Sequence, residues 1–574
     1  FIELAVTQDR LEEFRRVAAF NRKCGVDVKE IGREEVQRLV PLCRVDDVLA
    51  GFYVEDDGRV NPTDVTVALG KGVRMAGGRI MEGVEVEDVV VEKGKVVGVT
   101  VRDGGFVRCD NVVNAAGMWA RQLGERSGVC IPNQAAEHYY LVTDTMPDVD
   151  PNWPVIEDPE NYTYIRPEGD GLLVGLFETK AASWNVKEIP SNFSFGMINP
   201  DWDRMSSFLE KAMSRVPRSM EVGTKVFFCG PESFTPDLQP ILGEAPEVKN
   251  YYVAAGLNSI GILTGGGIGK LMANWIINGK PDEDVTQMNI DRVHKYMSTP
   301  KYRAERVVES LGMVYKCHYP SYAMKSARGV KKTPLYDRLL ARGAYFKETS
   351  GYEAADWFAP PGVKPEIENY SWGRENYFSY WEHEHSTCRE GVILMDMSFM
   401  SKFLVQGRDA GKLLNRISTS NVDETINQIT YCQWLNEDGK MEADLTISKL
   451  GEEKFLVVAT DTMHRHVETW MKKHITEDTF ATITDVTSSY CQINVQGPKS
   501  RELLQTVTGE DLSNETLPFR GIKEISIGYA PVICSRITYL GELGYELYIP
   551  SEFALHVYDM LIEKEKETGL VHAG

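Results

Sequence analysis

Between Ile80 and Val113 the chain alternates apolar residues with polar ones and breaks the alternation with glycine. Val84, Val86, Val89, Val91, Val96, Val97, Val99 and Val101 are punctuated by Gly94, Gly98 and the Gly104–Gly105 pair. Branched residues in short runs between turn glycines predict a β-meander. It ends in Val112-Val113-Asn114-Ala115-Ala116-Gly117. Before it, charged helical stretches are predicted from Asp9 to Asn21 and from Arg33 to Val40. After it come strands from His138 to Thr143 and from Leu172 to Phe177, and a helix from Trp202 to Val216. The run Tyr251 to Gly256 has the all-apolar character of a buried strand. A helix is expected to start at Gly265-Gly266-Gly267-Ile268-Gly269 and to reach about Asn278. Residues 280–370 are rich in Pro, Tyr and Arg, lack strong periodicity, and are expected to link two domains. A second β-rich stretch opens at Ile393-Leu394-Met395-Asp396 and continues to the end. No internal repeat is read. The pattern predicts a multidomain α/β and α+β chain divided at 1–285, 286–375 and 376–574.

The totals narrow the possible functions. With 574 residues and 43% hydrophobic content the chain can build several cores. Its 84 acidic against 63 basic residues give a net charge of −21, spread without long blocks. With no basic stripe, nucleic acid is not the expected partner. No run of 18 apolar residues exists, so no membrane span is expected. Ten cysteines, none in a CxxC pair, favour a reducing compartment over a disulfide framework. Phe1 in place of Met, and an end at Val571-His572-Ala573-Gly574 without a closing element, read as a fragment.

Candidate chemistry concentrates at glycine turns and acidic loops. At Ala116-Gly117 the small residues would let backbone approach a flat cofactor, where a Cβ would block it. At Gly265 to Gly269 a helix start would offer free amides and partial positive charge to an anionic group. On the strand at His138-Tyr139-Tyr140, alternation puts His138 and Tyr140 on one face and Tyr139 on the other. Tyr162, Tyr164 and Arg166 could supply an aromatic wall and a cation for a small carboxylate. The same residues also read as ordinary sheet aromatics with a surface arginine. In the second half, Asp444 and Glu542 stand in turn-rich acidic elements beside Leu445-Thr446-Ile447 and Ile537-Thr538-Tyr539, two β-type runs. Trp381-Glu382-His383-Glu384-His385 has its histidines two apart, which on a helix point apart, so no metal site is expected there. His464-Arg465-His466 reads as helix surface.

Longer motifs carry a resemblance. "VVNAAGMWA" at 112–120, "CGPESFTPDLQPILGEAP" at 229–246 and "AAGLNSIGILTGGGIGK" at 254–270 resemble FAD-dependent amine oxidoreductases of the D-amino-acid-oxidase class. Within it they are similar to the sarcosine and dimethylglycine dehydrogenases. The resemblance implies a partial oxidase-like FAD domain whose first Rossmann unit, with the histidine that links the flavin, lies upstream of Phe1. It places the Val86 backbone at the adenine and Ala116 and Gly117 along the cofactor. Pro240 to Gly243 would line the flavin ring, and Gly265, Gly266, Gly267 and Gly269 its pyrimidine end. His138 and Tyr140 are the catalytic candidates, and Tyr162, Tyr164 and Arg166 the substrate-binding ones.

"SWGRENYF" at 371–378, "YCQWLNEDGKMEADLTISKL" at 431–450, "INVQGPKSRELL" at 493–504 and "RITYLGELGYELYIP" at 536–550 resemble the folate-binding aminomethyltransferase module of the glycine-cleavage T-protein. By that resemblance Asp444 handles the proton chemistry of one-carbon transfer, while Glu542 accepts the pterin N–H groups and Tyr539 walls the pocket. Together the halves imply oxidation of the N-methyl group of sarcosine or dimethylglycine by FAD. The carbon would pass to tetrahydrofolate and the electrons to an electron-transfer flavoprotein in the mitochondrial matrix. The pyruvate dehydrogenase phosphatase regulatory subunit shares the architecture, so a non-catalytic regulatory role is the alternative.

Overall fold

Thr7 sets the first helix: its hydroxyl accepts the Arg10 amide, and Leu11, Phe14 and Ala18 then fall on one buried stripe. The computed structural model describes residues 1–574 and divides into two units, Phe1–Pro320 and Ser321–Gly574. The first unit opens with β1 (Ile2–Ala5), α1 (Gln8–Lys23), β2 (Val28–Ile31), α2 (Arg33–Leu39) and β3 (Ala50–Val54). Next comes α3 (Pro62–Met75), then the meander β4 (Val86–Glu92), β5 (Lys95–Val101) and β6 (Gly105–Arg108). β7 (Val112–Asn114), α4 (Ala120–Arg126), β8 (Gln134–Thr143), β9 (Ile156–Asp158), β10 (Thr163–Glu168) and β11 (Gly171–Leu176) follow. The unit closes with α5 (Trp202–Met213), β12 (Thr224–Phe234), β13 (Ile241–Glu244), β14 (Tyr251–Ala255), α6 (Gly261–Asn278) and α7 (Pro300–Met313).

Eight strands form one sheet in the order β12-β8-β11-β10-β9-β1-β3-β2, and two three-stranded sheets, β13-β14-β7 and β4-β5-β6, complete the unit. Alternation divides the large sheet by chemistry. Tyr139, Leu141, Ile165, Val174, Leu176 and Cys229 point one way and pack on Met205, Phe208, Leu209 and Ala212 of α5. Burying a side chain of this size contributes roughly 1.5–3 kcal/mol, so this face holds the sheet in place.

Two sequence expectations change here. The helix expected at Gly265 begins at Gly261, because Asn258 and Ser259 take left-handed turns at φ +52° and +67° immediately after β14. The Asn258 side chain accepts the Thr235 amide at 2.8 Å and donates to the Gly256 carbonyl at 2.8 Å, which fixes that turn. The glycine run therefore lies one turn into α6. Within 280–370, expected as a linking or central domain without strong periodicity, α7 and a small sheet of the second unit are regular structure. α3 was not anticipated either, although Asn61 before Pro62 is a helix-start signal; the Asn61 side-chain Oδ1 accepts the Thr63 and Asp64 amides.

The second unit begins with β15 (Lys331–Lys332), α8 (Tyr336–Ala341), β16 (Ala344–Thr349), β17 (Tyr352–Phe358) and α9 (Phe378–Glu390). Then come β18 (Ile393–Asp396), β19 (Ser401–Gln406), α10 (Ala410–Ile417), β20 (Gln428–Leu435), β21 (Met441–Gly451), β22 (Lys454–Ala459), α11 (His464–Lys473) and β23 (Thr482–Asp485). The last elements are β24 (Tyr490–Gln496), α12 (Ser500–Gln505), β25 (Ile522–Ile527), β26 (Ala530–Ser535), β27 (Gly544–Pro550), α13 (Ala554–Ile562), α14 (Glu565–Thr568) and β28 (Val571–His572). They build sheets in the orders β25-β26-β27-β24-β18-β28, β20-β21-β22-β19-β23 and β15-β17-β16.

An internal repeat does exist in this unit. Val405-Gln406-Gly407 ends β19 before α10, and Val495-Gln496-Gly497 ends β24 before α12. Gly407 (φ +127°) and Gly497 (φ +116°) both lie against a carbonyl, where a Cβ would come within 2.3 Å of the Phe480 oxygen and 2.4 Å of the Gly391 oxygen. Only glycine fits either turn. The run Ile537-Thr538-Tyr539 is loop, not strand: the Thr538 hydroxyl accepts the Leu540 amide at 3.1 Å and bends the chain. Near the end, Val571 and His572 pair in parallel with Ile393 and Leu394, so this segment is a sheet strand.

His572 is buried beside Tyr558, whose hydroxyl lies 2.9 Å from Nε2, and burial pushes the imidazole down to about 3, with Arg342 adding to the effect. A lowered histidine contributes stability above its unfolded value near 6.5 and loses it as pH falls towards the folded one. The chain is expected to lose roughly 2 kcal/mol through this group between pH 6.5 and about pH 5. Urea titrations across that range test it: His572→Gln flattens the slope, and equal slopes in both proteins reject the assignment.

Candidate functional site

On the face of the large sheet opposite α5, neighbouring strands align Phe228, Tyr140, Gly175, Tyr164, Glu157 and Glu3 in one row. The Tyr164 ring lies flat over Gly175, where a Cβ would come within 1.9 Å of the ring carbon that bears the hydroxyl. Tyr140 stacks on Phe228 at 4.7 Å and 19°. One residue pair further along, His138 sits opposite Gly230, with its ring 4.7 Å from Phe177 and 6.5 Å from Phe234. Phe177 also meets Tyr164 at 6.1 Å and Tyr315 at 4.7 Å. His138, Tyr164 and Tyr315 thus surround one phenylalanine.

This box is short of hydrogen-bond partners. His138 is 6% exposed, yet neither ring nitrogen has a partner in the protein, nor does Oε2 of Glu232. Burial lowers the His138 imidazole and Glu232 opposes it, so the ring is held neutral. Tyr164 is pushed up to about 12 by burial and then by Glu232. Burial first, then Glu157, raises Glu3 to about 8; burial and Asp57 raise Glu157 to about 7. Glu3, Glu157, Glu232, Phe177 and Tyr315 were not picked from sequence. Only the register that brings six strands together, with the segments after β11 and α7 laid against them, could reveal them.

Tyr162 does not join this face. Its left-handed backbone (φ +61°) caps the turn before β10, so the alternation begins at Thr163 and the Tyr162 ring packs edge-on against Phe208 of α5 at 5.5 Å. Arg166 shares the Tyr164 face but is already ion-paired with Glu168.

The expected cofactor residues fall around β7, β13 and α6. Val86 is the exposed first residue of β4. Gly117 (φ +55°) follows Ala116, with open space where a Cβ would stand. Pro240 is buried before β13. Gly243 has a packing role of its own: at φ +108° its missing Cβ makes room for Trp275, 2.3 Å from where it would be. Gly265, Gly266, Gly267 and Gly269 leave part of α6 without side chains, with nothing within 4 Å of the Cβ positions. Ile262 and Leu263, the latter 80% exposed, flank this strip. A bare helix face with an apolar margin, and unbonded amides at Gly261 to Leu263 in the first turn, fits a flat anionic cofactor such as FAD.

In the second unit Asp444 is the fourth residue of β21 and exposed. It lies opposite Gln433 of β20, whose side chain donates to Oδ1 at 3.4 Å, while the Tyr431 hydroxyl donates to Oδ2 at 3.1 Å. Asp444 raises the Tyr431 phenol through that bond, and Tyr539 acts on the same phenol from the β26–β27 loop. Tyr539 is 95% exposed there, and Glu542 of the same loop is ion-paired with Arg389. Tyr431 and Gln433, two apart on one strand, went unassigned in the sequence. No group of three or more His, Cys, Asp or Glu side chains is arranged to hold a metal, and no helix is long and apolar enough to cross a membrane.

Overpacking generates a testable outcome. Gly175→Ala is expected to cost about 1–3 kcal/mol by driving its methyl into the Tyr164 ring. In a Tyr164→Ala background the same change should be nearly neutral. Denaturant unfolding of the four proteins measures the coupling, and additive effects would show that the ring does not depend on Gly175.

Residues 1–275 match the family described as FAD dependent oxidoreductase, 278–333 its central domain, and 335–574 the GCVT N-terminal domain. The 4-methylaminobutanoate oxidase (formaldehyde-forming) of Paenarthrobacter nicotinovorans is 37% identical over 575 residues, covering 100% of this chain and 69% of that protein. The mitochondrial pyruvate dehydrogenase phosphatase regulatory subunit of Mus musculus is 33% identical, and the mitochondrial sarcosine dehydrogenase of Homo sapiens 31%; each alignment covers 100% of this chain and 66% of the relative. The chain therefore spans about two thirds of the length of these relatives. An oxidase-like α/β unit followed by a GCVT unit, over the whole chain, agrees with the resemblance carried by its motifs: the chain belongs to the FAD-dependent oxidoreductase family whose members continue into a GCVT domain.

Proposed function

We propose that this chain takes part in oxidative demethylation of a small N-methyl amino acid, sarcosine or dimethylglycine, and in transfer of the released carbon to tetrahydrofolate. The observation that carries the proposal is the aromatic box at Phe177, where a buried neutral imidazole has two ring nitrogens without protein partners. FAD, held along Ala116, Gly117, Pro240 and the glycine face of α6, would supply the hydride acceptor. Tyr140, Tyr164 and Phe177 exclude water and offer ring faces to the methyl groups and the positive nitrogen. His138 takes the amine proton, because only the free base has a lone pair to assist loss of hydride from the methyl carbon. Arg166, at the edge of the face, is the candidate for the substrate carboxylate, exchanging Glu168 for it.

The resulting iminium would hydrolyse to formaldehyde in water, which gives the second unit its purpose. There Asp444, oriented by Tyr431 and Gln433, serves the proton transfer of methylene addition to the folate nitrogen. Glu542, released from Arg389, accepts the pterin N–H groups, and Tyr539 covers the ring. In this reading the electrons pass to an electron-transfer flavoprotein in the mitochondrial matrix; the names of the mammalian relatives say mitochondrial. Reoxidation by dioxygen alone, with hydrogen peroxide as product, would instead mark an oxidase.

Protein loaded with FAD is expected to lose its visible flavin band anaerobically on addition of sarcosine, dimethylglycine or 4-methylaminobutanoate. Protein that takes up no FAD, or takes it up and is inert to all three, favours the regulatory reading, to which the 33% identity with the phosphatase subunit also points. With tetrahydrofolate present, Asp444→Ala should leave amine oxidation intact and shift the product from methylene-tetrahydrofolate to free formaldehyde. An unchanged product ratio removes Asp444 from the transfer step.

A further inference from the structure

The carboxylate on β12 facing His138 has no role in the scheme above. Glu232 follows Gly230, the residue opposite His138, by two positions, so its side chain emerges on the same sheet face. Its own partner across the strands is Ala136, too small to reach or cover it. Oε2 is buried without a hydrogen-bond partner, and both nitrogens of buried His138 are in the same condition. An unmade hydrogen bond at a buried charged group costs more than a typical bond gains, so a protein keeps two such groups together only where a third party satisfies them. The rings of Phe177 and Phe234 lie against His138, and Tyr164 is close enough to feel the Glu232 charge.

We propose that Glu232 is the binding residue for the substrate nitrogen, selecting a protonated secondary or tertiary methylamine over a neutral molecule of the same shape. The inference rests on the amine-oxidation reading and deepens it. The carboxylate accepts the N–H of the arriving ammonium ion, and a ring nitrogen of His138 then takes that proton. The substrate is left as free amine with its lone pair, and an imidazolium stands beside the Glu232 carboxylate. One N–H bond breaks, one N–H bond forms, and no electron leaves the substrate in this step. The isolated imidazole resists protonation because of its burial, and Glu232 is the group that counters this. Other titratable or charged groups facing it are Tyr140 of β8, Tyr164 and Arg166 of β10, Tyr315 after α7, Glu157 and Glu3 beyond Tyr164, and the buried Arg303 and Arg306 of α7, which packs on β8 and β12; Arg303 donates to the Gln134 side chain at 2.8 Å. Glu232 is the anion that acts on the imidazole against its burial.

The test compares sarcosine with methoxyacetate, an ether isostere that has no N–H and no positive charge. FAD-loaded protein is assayed for sarcosine oxidation and for inhibition by methoxyacetate. Glu232→Gln should raise KM for sarcosine about 10- to 100-fold, the range for loss of one charge-assisted hydrogen bond, and leave the methoxyacetate inhibition constant within about twofold. The acid limb of kcat/KM should move to lower pH, since the imidazole loses its stabilising anion. Glu232→Asp keeps the charge and should restore part of the discrimination, which separates recognition from a folding defect. If Glu232→Gln changes both ligands alike, or neither, the assignment is overturned. If the parent protein oxidises no methylamine, the functional reading fails first and takes this inference with it.

Discussion

The eight-stranded sheet of the first unit must bury one face, and that constraint organises the chemistry of the other. Because successive side chains alternate, each apolar residue given to α5 forces its neighbour to the opposite side. Tyr139, Leu141 and Cys229 therefore determine where His138, Tyr140 and Phe228 must point. The apolar face supplies the packing energy, and the facing surface is free to hold groups that a core would not tolerate. A buried imidazole and a buried carboxylate oxygen, both unsatisfied, survive there because the sheet beneath them is stabilised from behind.

Small residues are the second device, and they do different work at different places. Gly175 lets the Tyr164 ring lie flat on the sheet, and Gly230 similarly sits beneath Phe228, whose ring would lie 2.7 Å from an added Cβ. Gly243 makes room for Trp275. The glycines of α6 meet nothing, and so expose backbone rather than accommodate a neighbour. In the second unit Gly407 and Gly497 turn two equivalent strand–helix junctions under two carbonyls, a duplication visible in backbone geometry before it is noticed in the letters.

Much of the architecture was legible because its signals are local. The valine meander, the buried strand at Tyr251 and the helices at Gln8 and Arg33 follow from periodicity and caps within a dozen residues. What misled were local signals overruled by a nearby turn. Tyr162 has strand spacing from Tyr164 but a left-handed backbone, and Ile537 to Tyr539 has strand composition but a threonine-bent loop. The helix at Gly261 was misplaced by one turn because its start depends on Asn258 bonding to Thr235, 23 residues away.

The amino-acid order alone determined the fold class, the order of an oxidase-like half and a GCVT half, and the presence of His138 and Tyr164 on strands. These depend on spacing along the chain. Asp444, read in a turn before a strand, proved to be inside β21. Tertiary structure alone decided which groups meet: Glu232 beside His138, Tyr431 and Gln433 on Asp444, Arg389 on Glu542, and three aromatic or imidazole rings around Phe177. Those partners lie from 11 to 153 positions apart. Strand register and loop path bring them together, and neither leaves a periodic trace in the sequence.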